Sequence, residues 1–330
     1  MRRLSWVAVL AVAICGCGPK PSPGPGGGTS TGGGTTGGPA PPHQSWLVGQ
    51  GGAILSSEGG TVFGEVSSPT VNDLNALVCV RGLFGWAAGS GGVLLRTRDS
   101  GQSWTASVVD AAATWRAVAF GDSSRGLLAG DGGRIMYSSD GGASWVRAAI
   151  ATRANLRAAA IAAPDRASLG WAVGDGIVLR SSDGGASFSE VAGAADEHYR
   201  AVRFAADARH GFIASAEGSI YRSGDGGLTW TVAAQAGAGL SGLAVSADGL
   251  RVVAVGDGVV LLSTDGGVSF GRAEAPATSE LTAVGFSDDE ETGWAVGRAG
   301  AILETTDGGA SWRALASPTD RDLLAIEDFE

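Results

Sequence analysis

The chain has 330 residues, 56 of them glycine, and carries 23 Lys and Arg against 33 Asp and Glu, a formal net charge of −10. Glycine this abundant excludes long Ala/Leu-rich helices, because each one costs roughly 0.5–1 kcal/mol in a helix interior. An acidic chain without a basic stripe argues against nucleic acid as a partner, and 3 Cys with 3 His are too few for a Cys-rich zinc module or a disulfide scaffold. The length allows one large all-β unit or two smaller domains.

The chain opens on the short positive segment Met1-Arg2-Arg3, followed by an apolar run from Leu4 to Ile14. That run is too short for a bilayer-spanning helix, which needs roughly 20 residues, but it fits the apolar region of an export signal. The next residues, Ile14-Cys15-Gly16-Cys17, resemble the bacterial lipoprotein box with Cys17 as the lipid acceptor. That resemblance implies a signal peptide over residues 1–16, cleaved before Cys17, and contact with the lipid bilayer through the attached lipid. Gly18 stands where an aspartate would resemble an inner-membrane retention signal, so the outer membrane is the expected location, facing the periplasm or the cell surface. An ordinary cleaved secretion signal ending near Ala13 or Gly16 is the alternative. Cleavage removes Arg2 and Arg3 and makes the net charge −12. It also leaves Cys79 as the one thiol that could pair within the chain, and its strand-like surroundings mark it as a buried small hydrophobe. Residues 18–44 hold 10 Gly and 7 of the 11 Pro. Such a stretch has nothing to bury, so residues 17–44 are expected to act as a flexible tether.

From residue 45 onward the chain repeats itself. The turn Thr97-Arg98-Asp99-Ser100-Gly101-Gln102-Ser103-Trp104 recurs with its acidic residue at Glu58, Asp99, Asp140, Asp183, Asp225, Asp265 and Asp307, spaced by 41, 41, 43, 42, 40 and 42 residues. Each copy closes on an aromatic residue: Phe63, Trp104, Trp145, Phe188, Trp230, Phe270 and Trp312. Two further markers, typified by Ala295-Val296-Gly297 and Leu281-Thr282-Ala283-Val284, keep the same register. Intervals of this size belong to a propeller or a solenoid. Each unit reads as four short strands, in the last unit Leu281–Phe286, Thr292–Val296, Ala301–Thr305 and Ser311–Ala316. The Ala-Val-Gly strand has too few polar residues to face water and is expected to be buried on both sides.

The first unit begins at Ser45 without its opening strand, and Leu323-Leu324-Ala325-Ile326 supplies one at the C-terminus. The expected fold is therefore an all-β, seven-bladed propeller of four-stranded blades over residues 45–330, its ring closed by the C-terminal strand. An open solenoid would instead want polar caps at both ends. In the turn motif the aspartate can accept backbone N–H bonds within its own turn, and the glycines can take positive φ. The aromatic residue would cover the hairpin and fill the gap between sheets. No metal is expected there, because a calcium loop needs alternating oxygen ligands and a distal glutamate that these copies lack.

The motif Ser/Thr-x-Asp-Gly-Gly-x-Ser/Thr-Trp/Phe resembles the Asp-box, or bacterial neuraminidase repeat, of sialidases, sortilin-type receptors and xyloglucan-cleaving glucanases. The fuller unit runs Leu281-Thr282-Ala283-Val284-Gly285-Phe286, then Gly293-Trp294-Ala295-Val296-Gly297, then Ile302–Gly309. It is more similar to the photosystem II stability and assembly factor family, over residues 45–329. The resemblance implies a non-catalytic exported propeller that helps to assemble or stabilise another protein; a monomer without a cofactor, with an exported or envelope protein as its partner, is the expectation. In that family an arginine often precedes the box and contributes to a basic patch. Arg96, Arg180 and Arg222 match that place, whereas Leu55, Tyr137, Leu262 and Glu304 depart from it.

A carbohydrate-binding module or glycoside hydrolase of the Asp-box type is the alternative function. A sialidase-like site would need three arginines, a tyrosine nucleophile with a glutamate, and an acid/base aspartate. The only tyrosines, Tyr137, Tyr199 and Tyr221, occupy strand positions that suit blade packing. The longest connections, Val191–His198 and Ser287–Glu291, are not lids. Asp131, Asp175, Glu217 and Asp257 recur after the second strand, either as an acidic ring on one face or simply as turn residues. His198 and His210 read as surface histidines.

Overall fold

Seven four-stranded antiparallel sheets make up the computed structural model, which describes residues 44–80, 83–162, 168–192, 195–277 and 280–329. The signal peptide, Cys17 and all of the tether before Gln44 lie outside the described residues. The first blade holds Gln44–Gly49 (β1), Ile54–Glu58 (β2) and Gly64–Glu65 (β3). The second holds Leu74–Val80 (β4), Phe84–Gly89 (β5), Val93–Thr97 (β6) and Thr105–Val108 (β7). In the third are Trp115–Phe120 (β8), Gly126–Gly130 (β9), Arg134–Ser138 (β10) and Val146–Arg147 (β11). The fourth has Leu156–Ile161 (β12), Gly170–Gly174 (β13), Ile177–Ser181 (β14) and Ser189–Glu190 (β15). The fifth has Tyr199–Phe204 (β16), Gly211–Ser215 (β17), Ser219–Ser223 (β18) and Thr231–Gln235 (β19). Leu240–Val245 (β20), Val252–Gly256 (β21), Val259–Ser263 (β22) and Gly271–Arg272 (β23) form the sixth. The seventh comprises Leu281–Phe286 (β24), Gly293–Gly297 (β25), Ile302–Thr305 (β26) and Arg313–Ala314 (β27).

Leu323–Phe329 (β28) then pairs antiparallel with β1, so the first blade runs β28-β1-β2-β3 and the C-terminal strand closes the ring. The opening strand of every blade lies innermost. These strands contact one another in sequence around the ring, and β28 touches both β24 and β4. The Ala-Val-Gly strand is buried along its whole length in five blades, and in β1 and β5 from the second residue on. The outermost strand of the seventh blade is shorter than the motif suggests. It spans Arg313–Ala314, because the box turn extends through Trp312 and both strand residues face solvent. Cys79 is a buried thiol in β4.

Six of the boxes share one hydrogen-bond pattern. Asp140 Oδ1 accepts from Ser138 Oγ at 2.9 Å and from Ser144 N at 2.9 Å, while Oδ2 accepts from Ser144 Oγ at 2.6 Å. Gly142 N donates to Ser138 Oγ at 2.8 Å, which ties the turn together. Asp99, Asp183, Asp225, Asp265 and Asp307 accept the equivalent bonds. These bonds, the Ser144 hydroxyl first, hold the Asp140 pKa down to about 2. The first blade departs from the pattern: strand register sets Ser57 at the place of Thr97 and Glu58 at that of Arg98, so Glu58 does not stand where the aspartate does, and Ser57 Oγ is buried without a hydrogen-bond partner.

The second glycine of each box also meets the neighbouring blade. A Cβ on Gly60 would lie 2.0 Å from Trp294, on Gly101 2.4 Å from Trp46, and on Gly227 2.5 Å from Trp171. Leu127, Phe212 and Val253 occupy the same place against Gly185, Gly267 and Gly309. Trp86, Trp171 and Trp294 additionally donate their indole N–H to Gly141 O, Gly226 O and Gly60 O at 3.2, 3.0 and 2.7 Å. Phe120 stacks on Trp86 with ring centroids 3.6 Å apart, and the box residue Trp145 meets Phe120 edge-on at 5.9 Å. Trp171, Phe204 and Trp230 repeat that arrangement. Each such aromatic pair adds about 0.5–1.5 kcal/mol beyond its buried area. Trp145 and Trp230 thus cover, within their own blades, the phenylalanine that stacks on a tryptophan of the preceding blade.

Candidate functional site

Because the strands alternate in direction, the ring has two unlike faces. The boxes and the turns joining first to second strands lie on one face; the turns after the second strands and the links between blades lie on the other. Arg96, Arg180 and Arg222 belong to the third strands and are used between blades at the box face. Arg180 Nε donates to Gly226 O of the next box at 2.8 Å, and the Arg96 and Arg222 guanidinium groups lie against Gly141 and Gly266. At the equivalent position in the seventh blade Glu304 is buried and pairs with Arg313.

The opposite face carries the charged mouth of the central channel. In every blade the second residue of the inner strand is skipped by the pairing register, so Asn75, Arg116, Arg157, Arg200, Ser241, Thr282 and Leu324 each stand at a bulge. A bulge lifts its residue out of the ladder and re-aims the side chain. Asn75 Nδ2 donates to Trp115 O of the next blade at 2.8 Å, and Thr282 Oγ1 donates to Leu323 O at 2.6 Å. Three successive blades place an arginine at this bulge.

Asp131, Asp175, Glu217 and Asp257 stand in the turns just outside these bulges. Arg116 grips Asp131 with Nε and Nη2, the latter at 2.8 Å. Arg157 grips Asp175 at 3.0 Å and reaches Asp131 of the preceding blade at 4.0 Å. Burial would raise the Asp175 pKa, but hydrogen bonds from Arg157 and Asn155 outweigh it and hold the carboxyl below its ordinary value. His198 Nδ1 lies 2.7 Å from Glu217 Oε1, and its backbone N–H donates to Oε2. In the seventh blade Arg298 pairs with Glu280 and lies 3.6 Å from Asp322. His210 sits on the other face, paired with Asp207.

Arg200 differs from its two neighbours. Among the described residues its side chain makes no hydrogen bond and no ion pair. Burial, then Arg157, lower its pKa, against attraction from Asp175, Glu217 and Glu280. Its guanidinium therefore feels carboxylates of three blades and is held by none. Asp257 is the acidic counterpart, with a pKa raised by burial and Glu280 against the pull of Arg298 and Arg200.

The mouth is thus a belt of alternating charge in which arginines grip Asp131 and Asp175, and His198 meets Glu217. Arginine at the second place of three consecutive opening-strand motifs was the available signal for Arg116, Arg157 and Arg200, which the turn chemistry alone does not single out. The tyrosines take packing positions. Tyr199 is buried, donates to Ala195 O at 2.5 Å and meets Tyr221 edge-on, and Tyr137 packs against the core. Among the described residues no group of three or more His, Cys, Asp or Glu side chains is placed to hold a metal ion.

The family model for the photosynthesis system II assembly factor YCF48 matches residues 104–230, the stretch that contains Arg116, Arg157 and Arg200. No curated protein matches the chain. Among solved structures, YCF48 bound to D1 peptide is similar with a TM-score of 0.60 at 19% identity, covering 76% of this chain and 84% of that one. YCF48 from Cyanidioschyzon merolae has a TM-score of 0.60 at 18% identity, covering 86% and 91%. The GH74 xyloglucanase from Xanthomonas campestris has a TM-score of 0.62 at 18% identity, covering 83% of this chain and 47% of that one. At these identities the likeness is one of fold.

Proposed function

We propose that the protein is an exported, lipid-anchored, non-catalytic scaffold that binds another exported or envelope protein at the mouth of its central channel. Arg200 carries this conclusion. A half-buried guanidinium held by no carboxylate, inside a belt whose other arginines are paired, is suited to take a carboxylate from an acidic segment of a partner. The match to an assembly-factor family and the likeness to YCF48 bound to a D1 peptide support a peptide or protein as the occupant. Asp131, Asp175 and Glu217 are engaged by arginine or histidine, an arrangement that holds charge in place rather than moving protons.

The test is affinity capture from intact envelopes with the full-length chain. Losing one member of a desolvated charge pair costs roughly 2 kcal/mol or more, so Arg200→Ala should weaken capture about thirtyfold. Equal capture by the native chain and the variant would remove the mouth from the interface. Anchoring is tested separately: Cys17→Ser should move the protein to the soluble fraction and abolish palmitate incorporation, and continued labelling of the variant would reject it.

A further inference from the structure

An outermost strand leaves one row of backbone N–H and C=O groups without a partner, and folded proteins guard such edges by brevity, charge, proline, a bulge or a covering segment. Five outer strands of this ring are guarded twice over. β3, β11, β15, β23 and β27 have two residues each, and each carries one charge, at Glu65, Arg147, Glu190, Arg272 and Arg313. β19 is longer and uncharged, but a bulge breaks its register beside Ile220 and Tyr221. Among the described residues β7 alone has none of these devices. Its sequence is Thr105-Ala106-Ser107-Val108, all four residues are exposed, and it pairs with β6 along its whole length without a break. We infer that β7 is the contact by which two copies of this chain associate, edge to edge and antiparallel, about a two-fold axis at Ser107.

The register follows from which backbone groups are free. Val109 N donates to Gly92 O, so the residues bonded inward along this edge are Val109, Ser107 and Thr105. The phase alternates in an antiparallel ladder, so Ala106 and Val108 turn their N–H and C=O groups outward. Pairing the edge with itself satisfies these groups when Ala106 faces the second copy's Val108 and Val108 faces its Ala106. Ser107 then stands opposite Ser107, and Thr105 opposite Val109. No charge enters any of these pairs, so like-charge repulsion across the seam is absent. Centring the axis on Ala106 or Val108 instead runs the ladder into Trp104 of the box or into Asp110, which has a φ of 59°. Asp110 is held by Arg134 at 3.2 Å.

β7 runs from the box face toward the mouth face, so the contact lays two rings rim to rim with their mouths facing opposite ways. The two blades become one continuous antiparallel sheet, and no residue of the mouth takes part. One pair of short strands buries far less than the roughly 1,200–2,000 Å² of a standard interface, so the dimer is weak and concentration-dependent. It replaces the monomer expected from the sequence.

Disulfide trapping tests both the contact and its register, in the full chain carrying Cys15→Ser and Cys17→Ser, where the remaining native thiol is the buried Cys79. Residues facing each other at a place without ladder hydrogen bonds lie about 4.5 Å apart between Cα atoms, within disulfide reach. The two copies of Thr105 stand about 14 Å apart in this register. Under mild oxidation Ser107→Cys should therefore give about tenfold more covalent dimer than Thr105→Cys. Adding Ala106→Pro, which removes an outward N–H and leaves the bonds to β6 intact, should cut that dimer about tenfold at an unchanged thermal melt. No dimer from Ser107→Cys, equal yields at the two positions, or a yield that survives Ala106→Pro would overturn the pairing. If Ala106→Pro lowers the melt, Val108→Lys takes its place with the same expected loss of dimer and the same contrary result.

Discussion

Two neighbouring glycines separate backbone demand from inter-blade packing. Gly59 and Gly60 have similar left-handed conformations, with φ of 79° and 72°. An alanine in that region costs roughly 1–2 kcal/mol wherever it is placed. Around Gly59 an added Cβ meets nothing within 4 Å, whereas at Gly60 it would lie 2.0 Å from Trp294 Cζ2 and 2.7 Å from Cε2. Trp294 is 1% exposed, and its indole N–H is bonded to Gly60 O, so the ring cannot turn away without breaking that bond. Forcing such an overlap adds about 1–3 kcal/mol. Gly59→Ala should therefore destabilise the protein by about 1–2 kcal/mol, and Gly60→Ala by about 2–5 kcal/mol. Urea unfolding followed by circular dichroism on both variants measures the difference. Equal midpoints would show that the turn conformation alone requires the second glycine and that the tryptophan contact contributes nothing.

Acid should weaken the ring through its boxes. The pKa of Asp140, Asp225 and Asp265 lies at about 2 in the folded chain, below the ordinary value of 3.8. Depressed carboxyl pKa values contribute stability that is fully present above the unfolded value and lost as pH falls through the folded one. Urea midpoints should thus be level, as far as the boxes are concerned, from pH 7 to about 5 and fall from about pH 4 to 2; Asp140→Asn should flatten part of that fall, and an unchanged slope would contradict it. Deleting Asp322–Glu330 removes β28 and exposes the inner edge of β1, so cooperative unfolding should be lost. An unaltered thermal melt for that truncation would rule out closure by the C-terminal strand.

The ring was legible because its markers are local. The box needs a carboxylate, a hydroxyl residue and positive-φ glycines within a few residues, and its recurrence at near-equal intervals fixes blade number without any long-range knowledge. The unmatched opening strand at Leu323 revealed the closure in the same way. Contacts between blades were not legible: that Trp171 would rest on Gly227, or Arg180 on Gly226, depends on how neighbouring sheets are stacked. The candidate site divides along the same line. Asp131, Asp175, Glu217 and Asp257 could be placed on one face from their turns. The bulge that raises Arg116, Arg157 and Arg200 beside them is a departure from strand register that no residue pattern announces, and whether a carboxylate grips Arg200 depends on how several blades are set around it.

Site-specific photocrosslinking in living cells tests the proposed docking face most directly. A photoreactive residue would be placed at Asp257, at the channel mouth, and in separate chains at Ala143 or Val268, on the box face. The mouth position should give a discrete adduct with an exported or envelope protein that disappears when Arg200→Ala is added, and the box positions should not. Adducts formed only from Ala143 or Val268 would place the partner on the opposite face and contradict the assignment of the mouth as the binding surface.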